Sequence, residues 1–389
     1  MSRSSIFSFE SYTAFRPRVP WTLLGVLGLV ALMELGLRSL SEDFIPPLHS
    51  RMGIFRWFER EVIPAFERPQ VLVMGSSRAA DGVTPRFLDE ALGLPEGSTL
   101  NLALQGGTGF DALRFYQRNR ERFRKARLLL INVDEWQFTS RMGPGYRYGA
   151  CAPWGERWHF AERVELIRRK GESDGAWAAR CRDHAERLEQ QRNRLLLDGA
   201  FYARSVLHYL PKSLSIWMGG KARIRVLDEN AQVRLAGLEV GPAEIPTSVF
   251  EKQVRDFYDG FDVHPLMVGH LEQLIGLAKA DDLRVLLLQM PNRRAYQQEV
   301  DRLAGMEYDR QSEVICALGR RHDVPVFCFR YPEACGLEER DFADYGHMAV
   351  RGSRKFTAFL GKLIREKQLL PADADDKRSA GASLPAVRK

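Results

Sequence analysis

The sequence predicts an α/β protein: a parallel sheet covered by helices on both faces, interrupted by a mainly helical insertion and preceded by one transmembrane helix. Three observations predict it. Short, wholly apolar runs such as VLVM (71–74), ARLLLINV (126–133) and RVLLLQ (284–289) alternate with helical stretches. Strands without polar alternation are the kind buried on both faces of a parallel sheet. The alternation breaks after residue 138 and resumes near 254, marking an insertion, and one apolar stretch near the N-terminus is long enough to cross a bilayer.

That stretch, Trp21–Leu37, is apolar apart from Glu34. With its flanks it covers 19–40, about 20 residues at ~1.5 Å rise each, one crossing. Arg3, Arg16 and Arg18 precede it against a single acid, Glu10, so the positive-inside rule leaves 1–18 in the cytoplasm and the rest outside. The long leader and the lack of a small-x-small site favour an uncleaved anchor over a signal peptide. Residues 41–68 read as a connector with an amphipathic helix around Arg51–Glu67.

Residues 69–370 form the α/β domain. Its elements are, in order, strand Val71–Met74, helix Pro85–Leu94, strand Thr99–Leu104, helix Phe110–Lys125 and strand Ala126–Val133. The 139–240 insertion follows; its Arg157–Leu197 stretch is charged and helical, and Trp154, Trp158 and Trp177 are packing residues. The pattern then resumes with helix Val254–Lys279, strand Arg284–Gln289, helix Arg302–His322, strand Pro325–Phe329, a loop over 341–347 and helix Gly352–Glu366. Residues 371–389 have little apolar content and are expected to be disordered.

With 45% hydrophobic residues among 389, the chain is not intrinsically disordered as a whole, and its mean hydropathy of −0.30 excludes a polytopic membrane protein. The +7 net charge is spread without a basic, aromatic-interleaved stripe, which argues against nucleic acid as a partner. Five cysteines, at 151, 181, 316, 328 and 335, lack the close spacing of zinc sites. In an oxidising compartment Cys151–Cys181 and Cys328–Cys335 are possible bridges, and unpaired thiols are equally compatible with the spacing.

Two places carry chemistry. Gly75–Ser76–Ser77–Arg78 follows a buried strand, and ligands of open parallel sheets bind beyond the carboxyl ends of strands. Such a turn serves equally as a helix cap or as the seat of a nucleophile beside oxyanion-stabilising N–H groups. Asp344 stands three residues before His347, spacing that lets the carboxylate accept the Nδ1 proton and leave Nε2 as a base. Histidines 49, 159, 184, 208, 264, 270 and 322 have no such setting and read as structural or surface residues. Arg78, Gly107 and Gln289 fall on the ligand side of the strands as candidate substrate contacts, and Asn292, Arg293 and Arg294 as loop residues there.

Together these segments resemble the SGNH/GDSL hydrolase superfamily, over residues 70–138 and 283–365. Gly75–Ser76–Ser77 looks like its first block, with Ser77 at the nucleophile position. The run from Asn101 to Gly106–Gly107 resembles the second, and Asp344-x-x-His347 the last. The third block departs: Asn132–Val133–Asp134–Glu135 stands where the family has Gly-x-Asn-Asp. The Gly-Ser-Ser form resembles the membrane-anchored branch, which includes the lipoteichoic-acid D-alanylation protein and to which the alginate-type acetylation proteins are related. The resemblance implies a three-layer, flavodoxin-like sheet and acyl transfer through Ser77, His347 and Asp344. It also implies an oxyanion hole from Ser77, Gly106 and Asn132, and neither metal nor organic cofactor. It implies a polysaccharide or acylated glycan as substrate, with a multispanning O-acyltransferase as membrane partner. The other readings are a non-catalytic, polymer-binding assembly factor and a lipid-directed esterase.

Overall fold

The computed structural model describes residues 21–44, most of 54–138, parts of 173–186, the strands at 225–227 and 233–235, and 244–371 with few gaps. Five strands form one parallel sheet: β1 (Val71–Met74), β2 (Thr99–Asn101), β3 (Leu128–Asn132), β4 (Arg284–Gln289) and β5 (Val326–Cys328). Their spatial order is β2-β1-β3-β4-β5, all neighbours parallel. That order reverses direction between β1 and β3, so the crevice beyond their carboxyl ends is the topological switch point where ligands of such sheets bind.

Helices cover both faces. On one lie α2 (Ser77–Gly82), α3 (Pro85–Leu92) and α8 (Val350–Glu366). On the other lie α4 (Gly109–Arg118), α6 (Pro265–Ala280) and α7 (Arg294–His322), with α5 (Thr247–Tyr258) packed on α7. Two apolar cores result, one per face. Alternate residues of each strand feed opposite cores: Val71 and Val73 enter one, Leu72 and Met74 the other. Phe356, Leu360 and Ile364, spaced four apart on α8, are fully buried. Each contributes about 1.5–3 kcal/mol relative to an exposed position.

The structure has the expected parallel sheet with helices on both faces and refines the element bounds. The expected helix 254–279 is two helices, because Pro265 starts a new one and disfavours helical geometry in the residue before it. α7 begins at Arg294, earlier than the periodicity suggested, and carries a non-helical residue, Ala304. Within the insertion a two-stranded antiparallel hairpin, Arg225–Leu227 with Val233–Leu235, is present beside the helical turns at 174–179. Residues 181–182 and 186 are also helical; the rest of the predicted 157–197 helix, with Trp154 and Trp158, lies outside the described residues, as do the 1–18 leader and the 372–389 tail. In the connector, a π-helical turn at Phe58–Val62 runs into Ile63–Ala65 and buries Phe58 and Ile63 in the core.

α1 (Trp21–Phe44) is helical, and Trp21, Leu23, Leu27 and Leu32 on it are exposed. No helix among the described residues is long and apolar enough to cross a membrane; of α1, the described side chains are those of residues 21–33, 35 and 36. Cys181, Cys316, Cys328 and Cys335 are free thiols, and Cys151 lies outside the described residues. The sulfur that Cys328 meets is that of Cys316; burial first, and that neighbour second, push its thiol up to about 12.

Candidate active site at the switch point

The register Met74↔Ile131 sets the turn after β1 directly beside the end of β3. Gly75 adopts φ +143°, and a Cβ there would lie 2.7 Å from the Asn132 Cβ, so only glycine lets the two backbones approach this closely. The chain then enters α2. Ser76 is its N-cap: the hydroxyl accepts from the Arg78 N–H (3.1 Å). It also donates to Asp134, and it lies 3.0 Å from Asn132 Oδ1. Ser76 is wholly buried, whereas Ser77, the first helical residue, is not. The two readings of a Gly-Ser-Ser turn therefore fall to different serines.

His347 comes from a closed loop between β5 and α8. Phe342 bridges Met348, and the Ala343 N–H donates to the His347 carbonyl at 2.8 Å. α8 fixes this loop to the first helices: Thr84 Oγ1 meets Ser353 Oγ at 2.6 Å, and the Thr84 N–H donates to Thr357 Oγ1 at 3.0 Å. The outcome is a linear set. His347 Nε2 lies 2.7 Å from Ser77 Oγ, and His347 Nδ1 lies 2.6 Å from Asp344 Oδ2. The other Asp344 oxygen accepts the N–H groups of Gly346 (2.9 Å) and His347 (2.8 Å), so backbone and side chain together hold the carboxylate in line with the ring.

Burial alone would push the His347 imidazole down. The hydrogen bond and charge of Asp344, aided by the charge of Asp81, outweigh it and raise the imidazole above its usual 6.5, while Arg78 opposes them. Burial likewise works against the Asp344 carboxylate, but the contacts with His347 and the two backbone donors hold it below the usual 3.8. This is a carboxylate orienting an imidazole whose other nitrogen faces a hydroxyl, the geometry of a serine beside a base.

The other predicted residues divide. Gly106 has φ +64° and sits in the turn after β2. A Cβ on Gly107 would lie 2.1 Å from the Gly75 carbonyl oxygen, so Gly107 packs the second turn against the first. Asn101 ties β2 to α2 by donating to the Ala79 (3.0 Å) and Val83 (2.8 Å) carbonyls. The Asn132 amide nitrogen is engaged by Asp134 Oδ1 (3.0 Å) and by the Leu288 carbonyl (3.4 Å), and its oxygen accepts from the Ser76 N–H (3.2 Å). Arg78 is 3% exposed and 3.6 Å from Asp134. Gln289 is buried, its side-chain oxygen accepting from Ser312 of α7 at 3.1 Å. Sequence reasoning overlooked Gln137, which donates to the Gly107 carbonyl at 3.1 Å, and Asp81 and Tyr345 beside His347. Only the proximity of Tyr345 to His347 in the chain signalled any of these three. Among the described residues no cluster of His, Cys, Asp and Glu suited to a metal ion is present.

Fold and site thus define a class: a parallel α/β protein carrying a Ser–His–Asp set at its switch point. No family model matches the chain, and no curated protein matches it. Solved structures similar to it include a protein described as an acylhydrolase from Bacteroides fragilis (10% identity, 82% of this chain and 98% of that one, TM-score 0.36). Others are a GDSL-like lipase from Bacteroides thetaiotaomicron (10%, 80% and 98%, 0.35) and a lipase/acylhydrolase from Enterococcus faecalis (13%, 78% and 100%, 0.32).

Proposed function

We propose that this chain is a serine-dependent acyl transferase or esterase, with Ser77 as nucleophile, His347 as base and Asp344 as its orienting carboxylate. The supporting observation is the run of short contacts Ser77 Oγ–His347 Nε2–Nδ1–Asp344, 2.7 and 2.6 Å. In this mechanism His347 takes the hydroxyl proton as Ser77 Oγ attacks an acyl carbonyl carbon. Asp344 stabilises the imidazolium, and the Ser77 and Gly106 N–H groups face the oxygen that becomes negative. The imidazolium then protonates the leaving alkoxide. Water or a sugar hydroxyl, deprotonated by the same His347, releases the acyl group from Ser77.

The substrate we propose is an O-acyl, most simply O-acetyl, group of a cell-envelope or exported polysaccharide. The anchor proposed over residues 19–40 would confine the catalyst to the outer surface of the cytoplasmic membrane, beside a multispanning O-acyltransferase. The apolar, exposed N-terminal half of α1 and the basic leader before it support this placement. A second reading, a non-catalytic polymer-binding factor, draws on one observation: the Asn132 amide is engaged by Asp134 and Leu288 and is not offered as a third oxyanion donor. Hydrolysis of p-nitrophenyl acetate by the detergent-solubilised full chain separates the two. Activity lost in Ser77→Ala and His347→Ala supports the enzyme, and an inactive parent whose cellular role survives both changes supports the binding factor.

A further inference from the structure

The third block departs from the family pattern in a way that adds a charge to the site. Asp134 has its side chain fully buried, and Arg78, immediately after Ser77, reaches it with a side chain only 3% exposed. The other side of the guanidinium meets the histidine loop. It lies 5.7 Å from the Tyr345 ring centroid, and a Cβ on Gly346 would stand 2.7 Å from Arg78 Nε and 3.0 Å from Cζ. Tyr345 and Gly346 are the two residues preceding His347, and Tyr345 also packs edge-on against its ring (5.8 Å). One side chain therefore touches the nucleophile turn, the end of β3 and the loop that carries the imidazole.

We infer that Arg78 is a positioning residue: anchored by Asp134, it seats the Asp344–His347 loop over Ser77 and sets the charge balance that the imidazole feels. The inference rests on the acyl-transfer reading of the site and extends it. The charged groups facing His347 are Asp344 on its own loop and Asp81 and Arg78 on α2, with Asp134 behind Arg78. The two nearer carboxylates favour the imidazolium, and the guanidinium disfavours it. Gly346 fits the same account, since any side chain there would displace the guanidinium.

Two substitutions predict opposite signs. Arg78→Gln removes the opposing charge, and the His347 titration moves up by about 0.5–1 pH unit. Asp134→Asn removes one negative charge from behind the guanidinium, and the titration moves down. Arg78→Lys keeps the charge but not the planar face against Gly346, so the titration stays near the parent value while kcat falls. The measurement is an NMR titration of the histidine-labelled full chain in detergent, with His347 assigned by the loss of its signal in His347→Gln. Paired kcat and KM values for p-nitrophenyl acetate accompany it. The expected kinetic result is a kcat in Arg78→Gln lowered about 10–100-fold with KM little changed. Shifts of the same sign in Arg78→Gln and Asp134→Asn, as a merely loosened loop would give, overturn the inference, as does an unmoved titration. An inactive parent with shifts of opposite sign refutes acyl transfer and leaves the positioning intact.

Discussion

Replacing Ser76 and Ser77 by alanine one at a time separates two jobs that adjacent, chemically identical side chains perform. The Ser76 hydroxyl caps α2, donates to a fully buried carboxylate and lies beside Asn132. Loss of an N-cap costs about 1 kcal/mol. Loss of a buried hydrogen bond to a charged group costs about 1.5–3 kcal/mol more, since the Asp134 oxygen then has one donor fewer. Ser76→Ala should therefore lower stability by about 2.5–4 kcal/mol, read as a reduced urea midpoint with unchanged slope. The Ser77 hydroxyl meets His347 Nε2 from a partly exposed first helical position. Ser77→Ala should leave the urea midpoint within about 0.5 kcal/mol of the parent. It should reduce p-nitrophenyl acetate turnover by about 10⁴-fold or more, to the background that binding and N–H groups alone sustain. The refuting result is the reverse pattern: a folded Ser76→Ala without activity, and an active Ser77→Ala.

Three further outcomes follow from the same geometry. kcat/KM should fall as pH drops through a value above 6.5, because the raised His347 must lose its proton to act as base; Asp344→Asn should move that limb down and cost about 10³–10⁴ in kcat. Gly107→Ala should be among the most damaging single-methyl additions, since its Cβ would lie 2.1 Å from a backbone oxygen; a soluble variant with an unshifted melting curve would contradict the tight packing of the two turns. His270, buried on α6 against Phe110 and held at about 4 by burial and by the charge of Arg114, binds its proton only in the unfolded chain between that value and 6.5. The parent should lose up to about 3 kcal/mol of stability as pH falls through this window, and His270→Leu should flatten that loss in urea titrations at pH 7 and pH 4.5.

The strands at 71–74, 128–132 and 284–289 were legible because each is a short apolar run, almost wholly buried between helices, whereas β5 at the sheet edge is only partly buried and β2 is a mixed Thr-Leu-Asn run. Their spatial order is not written in the runs themselves, since pairing across the β1–β3 boundary joins segments more than fifty residues apart. α2 was not visible: six residues, beginning Ser-Arg and ending in Gly82, have no period to detect. The histidine and its carboxylate were legible because they are local, three residues apart and joined through the backbone as well as the ring. The meeting of His347 with Ser77 was not local. It depends on α8 packing across α2 and α3, which the Thr84–Ser353 and Thr84–Thr357 contacts secure.

The third block shows where pattern matching stops and electrostatics begins. Read as a motif, Asp134 is a defect, an anion where an amide donor is usual. Read in place, it is the buried end of a chain running Asn132–Asp134–Arg78 to the backbone of Gly346. A fully buried carboxylate without counter-charge would cost several kcal/mol, so the aspartate and the arginine next to the serine are intelligible only together. Removing both charges should then disturb the fold less than removing either alone. The cycle built from Arg78→Gln, Asp134→Asn and the double variant should show a favourable coupling of about 1–3 kcal/mol in urea unfolding. Strictly additive losses would mean that the two side chains are neighbours without being partners.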